Sequence, residues 1–221
     1  MLSAVVFDFD GIIVDSEPLH FRAFNEVLEP QGKTISWADY CDTYIGYDDR
    51  DAFKQIFKAH KEKLGSRDLK ALIARKADIL QEYINNGEAV PLPGAVALLK
   101  SIPVRLPVAL CSGALRSDIE PILEQLGIDN VFSVMVTAED TDKSKPDPAP
   151  YRLALKKLGI KDASTALAIE DTPAGIFSAK GAGLKVLAVT NSYDREYLME
   201  ADSVTDSLEH VNRLTLEDVV M

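Results

Sequence analysis

The chain has 221 residues, of which 47% are hydrophobic, enough for one domain with a large insertion or for two small domains. This composition is too apolar for a disordered chain. Its 24 basic residues face 35 acidic ones, and the formal charge of −11 argues against nucleic acid or an anionic membrane surface as a partner. Two isolated cysteines and three unclustered histidines argue against a disulfide framework and a zinc site.

The first predicted element is a short buried strand. The apolar run Ala4–Phe7 fits a parallel strand that is covered on both faces. It is far too short for a signal peptide or a membrane span, and a cytoplasmic location is therefore expected. Gly11 then breaks the pattern.

The stretch from Glu17 to Asn86 differs in character from the rest of the chain. It is charged and helical in pattern, without a convincing strand. The segment 91–94, which contains two prolines and a glycine, closes it as a stiff linker. We therefore predict a helical cap domain, residues 16–89, inserted into a core made of residues 1–15 and 90–221.

Beyond the linker, strand and helix patterns alternate. Apolar runs predict strands, the first delayed by a proline, at 104–111, 132–137, 166–169, 186–189 and 203–204. Apolar residues at helical spacing lie between the strands, and three of these helices are predicted to end at Gly127, Gly159 and Gly183. Repeated strand–helix units with short connections predict an α/β protein with a doubly wound parallel sheet and helices on both faces.

Polar residues follow four of the predicted strands. In an open parallel sheet, ligands bind beyond the carboxyl ends of the strands, so these residues are the candidates for a site. They are, in chain order, Asp8 and Asp10, Ser112 and Gly113, Lys145, and Glu170 and Asp171. The first two stand two residues apart, which places both side chains on one side of a strand.

These residue types together predict phosphoryl transfer. Carboxylates gathered without imidazole or thiolate favour Mg²⁺ over zinc. Asp8 as an ionised carboxylate can attack phosphorus and form an aspartyl phosphate. Asp10 can give a proton to the leaving oxygen and later take one from water. Ser112 and the Gly113 amide would hold phosphate oxygens, and Lys145 would neutralise the developing negative charge.

Each of these groups can also be accounted for without catalysis. An acidic pair at a strand end is often a solvated loop, Ser-Gly is often only a turn, and a lysine before proline is usually at the surface. Asp8 and Asp10 are harder to account for in this way, because two charges directly follow a fully apolar strand. All four groups, in this order along the chain, favour a catalytic site.

The segment Asp8–Pro18, with the sequence DFDGIIVDSEP, resembles the first motif of the haloacid dehalogenase-like superfamily. The later motifs of that superfamily are matched in order by Ser112, by Lys145 with Pro146, and by Glu170 and Asp171 with Gly175. The resemblance covers essentially the whole chain. It implies a Rossmann-like core, an inserted helical cap and a Mg²⁺-dependent hydrolase.

The resemblance also implies a role for each motif residue. Asp8 would be the nucleophile and Asp10 the acid–base group. Mg²⁺ would be held by Asp8, the Asp10 carbonyl and Asp171, with Glu170 as a further ligand or as a partner of one. Members that cleave carbon–halogen or carbon–phosphorus bonds lack an aspartate at the position of Asp10. Phosphatases and phosphomutases keep it, since an alkoxide leaving group needs a proton.

The cap carries the candidates for substrate recognition, which are Glu17, His20, Gly46, Arg50 and Lys76. The segments around His20 and Lys76 resemble β-phosphoglucomutase, which must hold a second phosphate in its cap. The mutase loop has an arginine three residues after a glycine, whereas here Gly46 is followed by a tyrosine, two aspartates and only then Arg50. Two acids oppose the docking of a phosphate. We therefore expect a phosphatase that acts on a small phosphorylated metabolite, with β-phosphoglucomutase as the alternative.

The cap residues also have simpler roles open to them. Arg50 can be an exposed residue paired with its neighbours, Lys76 can belong to a solvated helix face, and His20 can be hydrogen-bonded within the cap. A response-regulator receiver also gathers acids and a lysine at a sheet edge, but it has no cap and carries its phosphorylated aspartate on an inner strand. The sequence does not identify the substrate or the oligomeric state, and a monomer is the working hypothesis.

Overall fold

The computed structural model describes residues 1–45, 47 and 49–221. The contacts between residues divide the chain into two compact units. One, called the core unit below, combines Met1–Asp15 with Val90–Met221, and the other, called the cap unit, is Ser16–Ala89.

The strands lie in the core unit. They are β1 (Ala4–Phe7), β2 (Val14–Asp15), β3 (Val90–Pro91), β4 (Val108–Cys111), β5 (Val134–Val136), β6 (Ala166–Glu170), β7 (Lys185–Val189) and β8 (Ser203–Thr205). Six of them form one parallel sheet in the order β5–β4–β1–β6–β7–β8. The other two, β2 and β3, pair with each other as an antiparallel ribbon.

The centre of the sheet is formed by β1, between β4 and β6. All residues of these three strands are buried, as expected for unbroken apolar runs that are covered on both faces. Phe7 is aligned with Leu110 on one side and with Ile169 on the other. The direction in which strands are added reverses at β1, and in such sheets the ligand crevice lies beyond the strand ends at that point.

The helices of the cap unit come first in the chain. They are α1 (Glu17–Leu28), α2 (Trp37–Asp39), α3 (Asp49–Ala59) and α4 (Ser66–Asn85), with a π-helical turn at Tyr40–Tyr44. The buried stripe of α4 consists of Lys76, Ile79, Leu80 and Ile84. Lys76 is 1% exposed, so the assignment of this lysine to a solvated helix face is wrong.

Five helices belong to the core unit. They are α5 (Ala95–Ser101), α6 (Arg116–Leu126), α7 (Ala149–Leu158), α8 (Pro173–Ala182) and α9 (Arg213–Val220). The three predicted helix ends are confirmed, since the backbone is left-handed at Gly127, Gly159 and Gly183. Within the described ranges, no helix of either unit is long and apolar enough to cross a membrane.

Packing of α7 and α8 on the sheet produces a large part of the core. Tyr151 of α7 and Ile176 of α8 share one buried cluster with Val6 and Ala168, which point to the same side of their strands as other alternate residues do. The other flanking helix, α9, packs against β6 and β7. The predicted α/β sheet with flanking helices is confirmed.

Two details differ from the sequence prediction. The predicted strand 104–111 begins only at Val108, because Leu106 N–H donates to the Pro103 carbonyl in a turn. The ribbon of β2 and β3 is not predicted, since strands of two residues carry no periodic pattern.

Candidate active site

Asp8 lies at the carboxyl end of β1, in the middle of the sheet. Its N–H donates to the Ile169 carbonyl at 3.0 Å, which continues the ladder with β6 one residue past the strand. Its Oδ1 accepts a 2.7 Å hydrogen bond from Phe9 N–H. The side chain is 11% exposed. A nearly buried carboxylate therefore stands where the sheet topology predicts a ligand.

Lys145 joins two carboxylates of the core unit. Its Nζ lies 2.9 Å from Asp8 Oδ1 and 2.7 Å from Glu170 Oε1. The lysine comes from the loop between β5 and α7, whereas Glu170 is the last residue of β6. The side chain of Lys145 is 14% exposed, so it is not the surface residue that a lysine before proline usually is.

Glu170 is completely buried, and donors of the core unit occupy its oxygens. Oε1 accepts from the lysine and, at 2.6 Å, from the Tyr151 hydroxyl. Oε2 accepts longer bonds from Asp171 N–H at 3.3 Å and from the Thr172 hydroxyl at 3.4 Å. Gly175 is required beside it, since a Cβ at that position would lie 1.9 Å from Oε2. These contacts favour Glu170 as the group that orients Lys145 rather than as a direct metal ligand.

Asp171 has one bonded and one orphaned oxygen. Oδ2 accepts a short hydrogen bond from the Ser192 hydroxyl, whereas Oδ1 is buried with no hydrogen-bond partner among the described residues. Gly11, at φ +74°, passes so close that a Cβ there would lie 1.8 Å from Oδ2. Asn191 Nδ2 fixes that turn by donating to the Gly11 carbonyl at 2.7 Å. A buried carboxylate oxygen without a partner is costly unless a cation or a proton takes it.

Asp8, Glu170 and Asp171 can hold a metal ion together. Each offers one carboxylate oxygen, and these oxygens lie within 4.8 Å of one another. One ammonium, that of Lys145, faces the three carboxylates, so negative charge is in excess. A donor set made only of oxygen suits a hard divalent cation. The orphaned oxygen, the excess charge and the donor type all fit such an ion.

The pKa values of the site reflect this excess of negative charge. Burial, and then the carboxylate of Glu170, raises the pKa of Asp8 well above its ordinary value, against the effect of Lys145. The same two causes raise the pKa of Asp171 to about 7. Burial lowers the pKa of Lys145, but Asp8 and Glu170 outweigh it, and the net pKa lies above the ordinary value. The lysine therefore stays charged, whereas the carboxyls hold protons more readily when no cation is bound.

Asp10 lies two residues beyond Asp8, in the turn after β1. It is half-buried and forms a single β-bridge with Val14, whose carbonyl accepts from Gly11 N–H at 2.9 Å. After burial and Glu170, the charge of Asp10 also helps to raise the pKa of Asp171. Asp10 thus acts electrostatically on the carboxylate group, although its side chain is not one of the three that converge.

Ser112 and Gly113 follow β4, the neighbour of β1. Ser112 is 4% exposed, and its N–H donates to the Val136 carbonyl at 2.9 Å. Its hydroxyl accepts a 2.9 Å bond from Ala114 N–H, which closes a tight turn. No described atom lies within 4 Å of the position that a Cβ on Gly113 would take. The pair therefore forms a turn with open space at the glycine, and its role in phosphate binding stays a prediction.

Three residues of the site are missed by the sequence analysis. Tyr151 counts there only as part of the apolar stripe of a helix, and no sequence signal indicates that its hydroxyl reaches Glu170. Asn191 and Ser192 follow β7 just as the other candidates follow their strands. The rule of strand ends, extended to β7, would have included these two.

In the cap unit, Lys76 lies at the centre of a buried polar cluster. Its Nζ lies 2.7 Å from His20 Nδ1, 2.6 Å from Asp49 Oδ1 and 4.7 Å from the centroid of the Phe24 ring. Burial, and then the charge of Lys76, lowers the pKa of His20 well below its ordinary 6.5, so the imidazole is neutral. The Lys76–His20–Asp49 cluster therefore contains one positive and one negative charge.

The remaining cap candidates show no comparable clustering among the described contacts. Glu17 accepts a 2.5 Å hydrogen bond from the Tyr40 hydroxyl, and Arg50 is exposed in the first turn of α3. Gly46 lies outside the described residues. Substrate contact by any of these residues stays a prediction.

Two curated proteins show the level of sequence similarity. "Protein CbbY" of Rhodobacter capsulatus is 31% identical over 204 residues, which cover 88% of each chain. "Validoxylamine A 7'-phosphate phosphatase" of Streptomyces hygroscopicus subsp. limoneus is 30% identical over 213 residues, which cover 96% of each chain.

Solved structures of lower identity share the fold. CbbY from Rhodobacter sphaeroides, solved with xylulose-(1,5)bisphosphate, has a TM-score of 0.86 at 24% identity and covers 98% of this chain and 100% of its own. β-Phosphoglucomutase from Clostridium difficile has a TM-score of 0.82 at 22% identity and covers 100% and 97%. The profile of the haloacid dehalogenase-like hydrolases matches residues 5–189, most of the chain. The chain therefore belongs to the haloacid dehalogenase-like hydrolase family.

Proposed function

We propose that this protein is a Mg²⁺-dependent phosphatase that hydrolyses a small phosphomonoester through a covalent intermediate on Asp8. The observation that carries the proposal is the buried contact of Asp8 with Lys145, beside the orphaned oxygen of Asp171. A nucleophilic carboxylate, a fixed ammonium and a cation site are the three elements that phosphoryl transfer needs.

The metal would be held by Asp8 and Asp171, with Glu170 behind them and the Asp10 carbonyl as the further ligand that the family resemblance implies. When bound, Mg²⁺ supplies positive charge that keeps these carboxylates ionised and stabilises negative charge on the phosphate oxygens. The resulting ionised Asp8 is the form that can act as a nucleophile.

In the first half-reaction, an Asp8 carboxylate oxygen attacks phosphorus while the bond from phosphorus to the substrate oxygen breaks. Asp10 gives its proton to that leaving oxygen, so a neutral alcohol departs and an aspartyl phosphate remains. Lys145 stays 2.9 Å from Asp8 and offsets the negative charge that develops on the phosphoryl oxygens.

In the second half-reaction, Asp10 takes a proton from water as the water oxygen attacks the aspartyl phosphate. The bond from phosphorus to Asp8 breaks, which releases inorganic phosphate and restores the carboxylate. Asp10 thus returns to its protonated form. Its position two residues from the nucleophile allows it to act on both the leaving and the attacking oxygen.

The substrate class is proposed from the relatives and from the cap unit. One relative is named for a phosphatase of validoxylamine A 7'-phosphate, a monoester, and it aligns with almost the whole chain. The mutase alternative requires a cationic group for a second phosphate. In the cap unit, Asp49 already pairs with Lys76 at 2.6 Å, and the adjoining His20 is neutral. This balance of charge favours hydrolysis of a monophosphate whose remainder is uncharged.

The test is a phosphate-release assay over a panel of phosphorylated metabolites, run with Mg²⁺ and with a chelator. β-Glucose 1-phosphate with a trace of the 1,6-bisphosphate is included, and its conversion to glucose 6-phosphate is followed in parallel. We expect release of phosphate from at least one monoester, lost in chelator and restored by Mg²⁺. We also expect intact-mass analysis to detect phosphorylation of the wild-type chain during turnover but not of Asp8→Asn.

Three results would overturn the proposal. Full turnover in chelator would exclude the metal requirement, and near-normal turnover of Asp8→Asn would exclude the covalent route. Formation of glucose 6-phosphate faster than phosphate release from every panel member would establish the mutase instead. Asp129→Asn, a change at an exposed aspartate of the core unit, serves as the matched control and should behave as the wild type.

A further inference from the structure

Tyr151 links the charged residues of the core unit to the packed face of α7. It is completely buried, and its ring belongs to the cluster that α7 forms on the sheet. Its hydroxyl donates a 2.6 Å hydrogen bond to Glu170 Oε1, and its ring centroid lies 5.2 Å from Lys145 Nζ. One side chain therefore contacts both members of the Lys145–Glu170 pair.

The shared oxygen is the informative feature. Glu170 Oε1 receives the ammonium of Lys145 at 2.7 Å and the Tyr151 hydroxyl at 2.6 Å, whereas Asp8 has the same ammonium at 2.9 Å. A neutral donor on Oε1 disperses part of the charge that attracts the lysine. Without it, Lys145 would be drawn towards Glu170 and away from Asp8, because the two carboxylates compete for one cation.

A purely stabilising role accounts for less of this geometry. A buried carboxylate needs donors, but any donor on either oxygen would meet that need. The donors on Oε2 are long, at 3.3 and 3.4 Å, whereas the Tyr151 bond is short and falls on the oxygen that Lys145 uses. The ring of Tyr151 also limits where the ammonium can lie, since a cation is attracted to an aromatic face at this distance.

We propose that Tyr151 is a positioning residue, whose hydroxyl holds Glu170 so that Lys145 stays directed at Asp8 and at the substrate phosphate. The inference rests on the proposed function, because Lys145 has a phosphate to neutralise only in a phosphoryl-transfer enzyme. Tyr151 itself touches neither the reacting atoms nor the substrate in this role. It acts through Glu170.

The experiment compares Tyr151→Phe with the wild type, since phenylalanine keeps the ring and removes only the hydroxyl. We expect kcat/KM to fall about 10- to 100-fold, the range seen when a group that orients a first ligand is removed. The affinity of the Mg²⁺-loaded protein for inorganic phosphate, measured by calorimetry, should fall with it. Tyr83→Phe is the matched control, because the Tyr83 hydroxyl donates to Glu26 at 2.7 Å on the exposed surface of the cap unit. It should change neither quantity.

A second pair of variants separates positioning from folding. Glu170→Gln is compared with the double variant Tyr151→Phe/Glu170→Gln, in which no buried charge is left without its donor. If Tyr151 acts through Glu170, removal of the hydroxyl should change phosphate affinity less than twofold when Glu170→Gln is already present. A loss of at least tenfold there would overturn the inference, and this comparison stands even where Tyr151→Phe alone does not fold.

The outcomes also separate the inference from the proposed function. If the wild type releases and binds phosphate, and folded Tyr151→Phe does both equally well, then the inference alone is wrong, whatever the change in melting temperature. If the wild type neither hydrolyses a monoester nor binds phosphate, both are wrong. If Tyr83→Phe shows the same losses as Tyr151→Phe, a specific role for Tyr151 is excluded.

Discussion

The core unit and the cap unit each bury one lysine against carboxylate, and the two clusters differ in their balance of charge. Lys145 in the core unit faces Asp8 and Glu170, with Asp171 close by. Lys76 in the cap unit faces one carboxylate, that of Asp49, and a neutral imidazole. The first cluster is short of positive charge, and the second is balanced.

This difference indicates which cluster must bind something. A balanced cluster satisfies its own groups and needs no ligand, whereas three carboxylates around one ammonium stay costly until a cation or protons arrive. Burial alone does not distinguish the two, since the ammonium of Lys76 is even less exposed than that of Lys145. Counting charge together with burial therefore identifies the reacting site better than burial of a lysine does.

Replacing each lysine by methionine should give the largest contrast. Lys145→Met leaves Asp8 and Glu170 without their ammonium, and we expect kcat/KM to fall about 10²–10³-fold, as when other groups that stabilise a developing charge are removed. Lys76→Met should lower it much less, because the one carboxylate left behind, Asp49, is 29% exposed and can be hydrated. Initial rates of phosphate release at saturating Mg²⁺ give the comparison.

Lys143→Met is the control for these changes, because Lys143 is 69% exposed and pairs with Asp147 at the surface. Its activity should equal that of the wild type. Equal losses in Lys145→Met and Lys76→Met would show that the balance of charge does not separate the two clusters.

Removing the metal should make the stability of the chain depend on pH through the core cluster. The pKa of Asp171 is raised from 3.8 to about 7, mainly by burial. Between these values the folded carboxyl holds a proton that the unfolded chain has lost, so this group favours folding less as the pH rises towards about 7. In chelator, the melting temperature should therefore fall as the pH is raised from about 5 to 8, by about 2–4 °C for each kcal/mol lost.

Mg²⁺ should reverse this loss, most strongly above about pH 7, where the ion no longer competes with a proton at Asp171. Melting curves of the wild type and of Asp171→Asn, each with chelator and with Mg²⁺, isolate the effect of this one group. The amide variant should show a flatter dependence on pH in chelator. An equally steep dependence in both proteins would assign the effect to other groups.

The smallest expected effect concerns Asp49. Asp49→Asn removes the carboxylate partner of Lys76 while keeping a side chain of the same size, and leaves the cap cluster with one net positive charge. We expect kcat/KM for a bisphosphate to rise roughly fivefold relative to that for the matching monophosphate, the effect of about 1 kcal/mol for a partly exposed pair. Competition assays with the two substrates measure this ratio.

Asp51→Asn is the matched control, because Asp51 lies one half-turn further along α3 and pairs with the exposed Lys54. It should leave the ratio unchanged. Equal shifts in the two variants would mean that general charge, and not the Lys76 pair, sets the preference.

The sequence predicts the reacting site well because parallel strands place their carboxyl ends at one edge of a sheet. Asp8 and Glu170 come from distant segments, yet one follows a strand and the other closes one, and topology then brings both within 3 Å of Lys145. Strand–helix alternation and helix-ending glycines carry the fold in the same local way.

What the sequence misses depends on contacts across the fold. The bond from Tyr151 to Glu170 joins α7 to β6, and an apolar helix stripe gives no sign of where a hydroxyl ends. The burial of Lys76 is missed for the opposite reason: a lysine on a charged helix is usually solvated, and only its pairing with Asp49 on another helix allows its burial. Local pattern therefore predicts which residues reach the sheet edge, but not which neighbours complete their bonds.

The ribbon of β2 and β3 has a consequence for how such enzymes diversify. Asp15 and Val90 lie opposite each other in this antiparallel pair, about 4.5–5.5 Å apart between Cα atoms. The whole of Ser16–Ala89 therefore leaves and re-enters the catalytic scaffold at what is effectively one point. Insertions joined in this way are readily exchanged, because they place no constraint on the spacing of the host strands. A module that selects substrates can thus be replaced through two neighbouring junctions while the chemistry at the end of β1 is inherited intact.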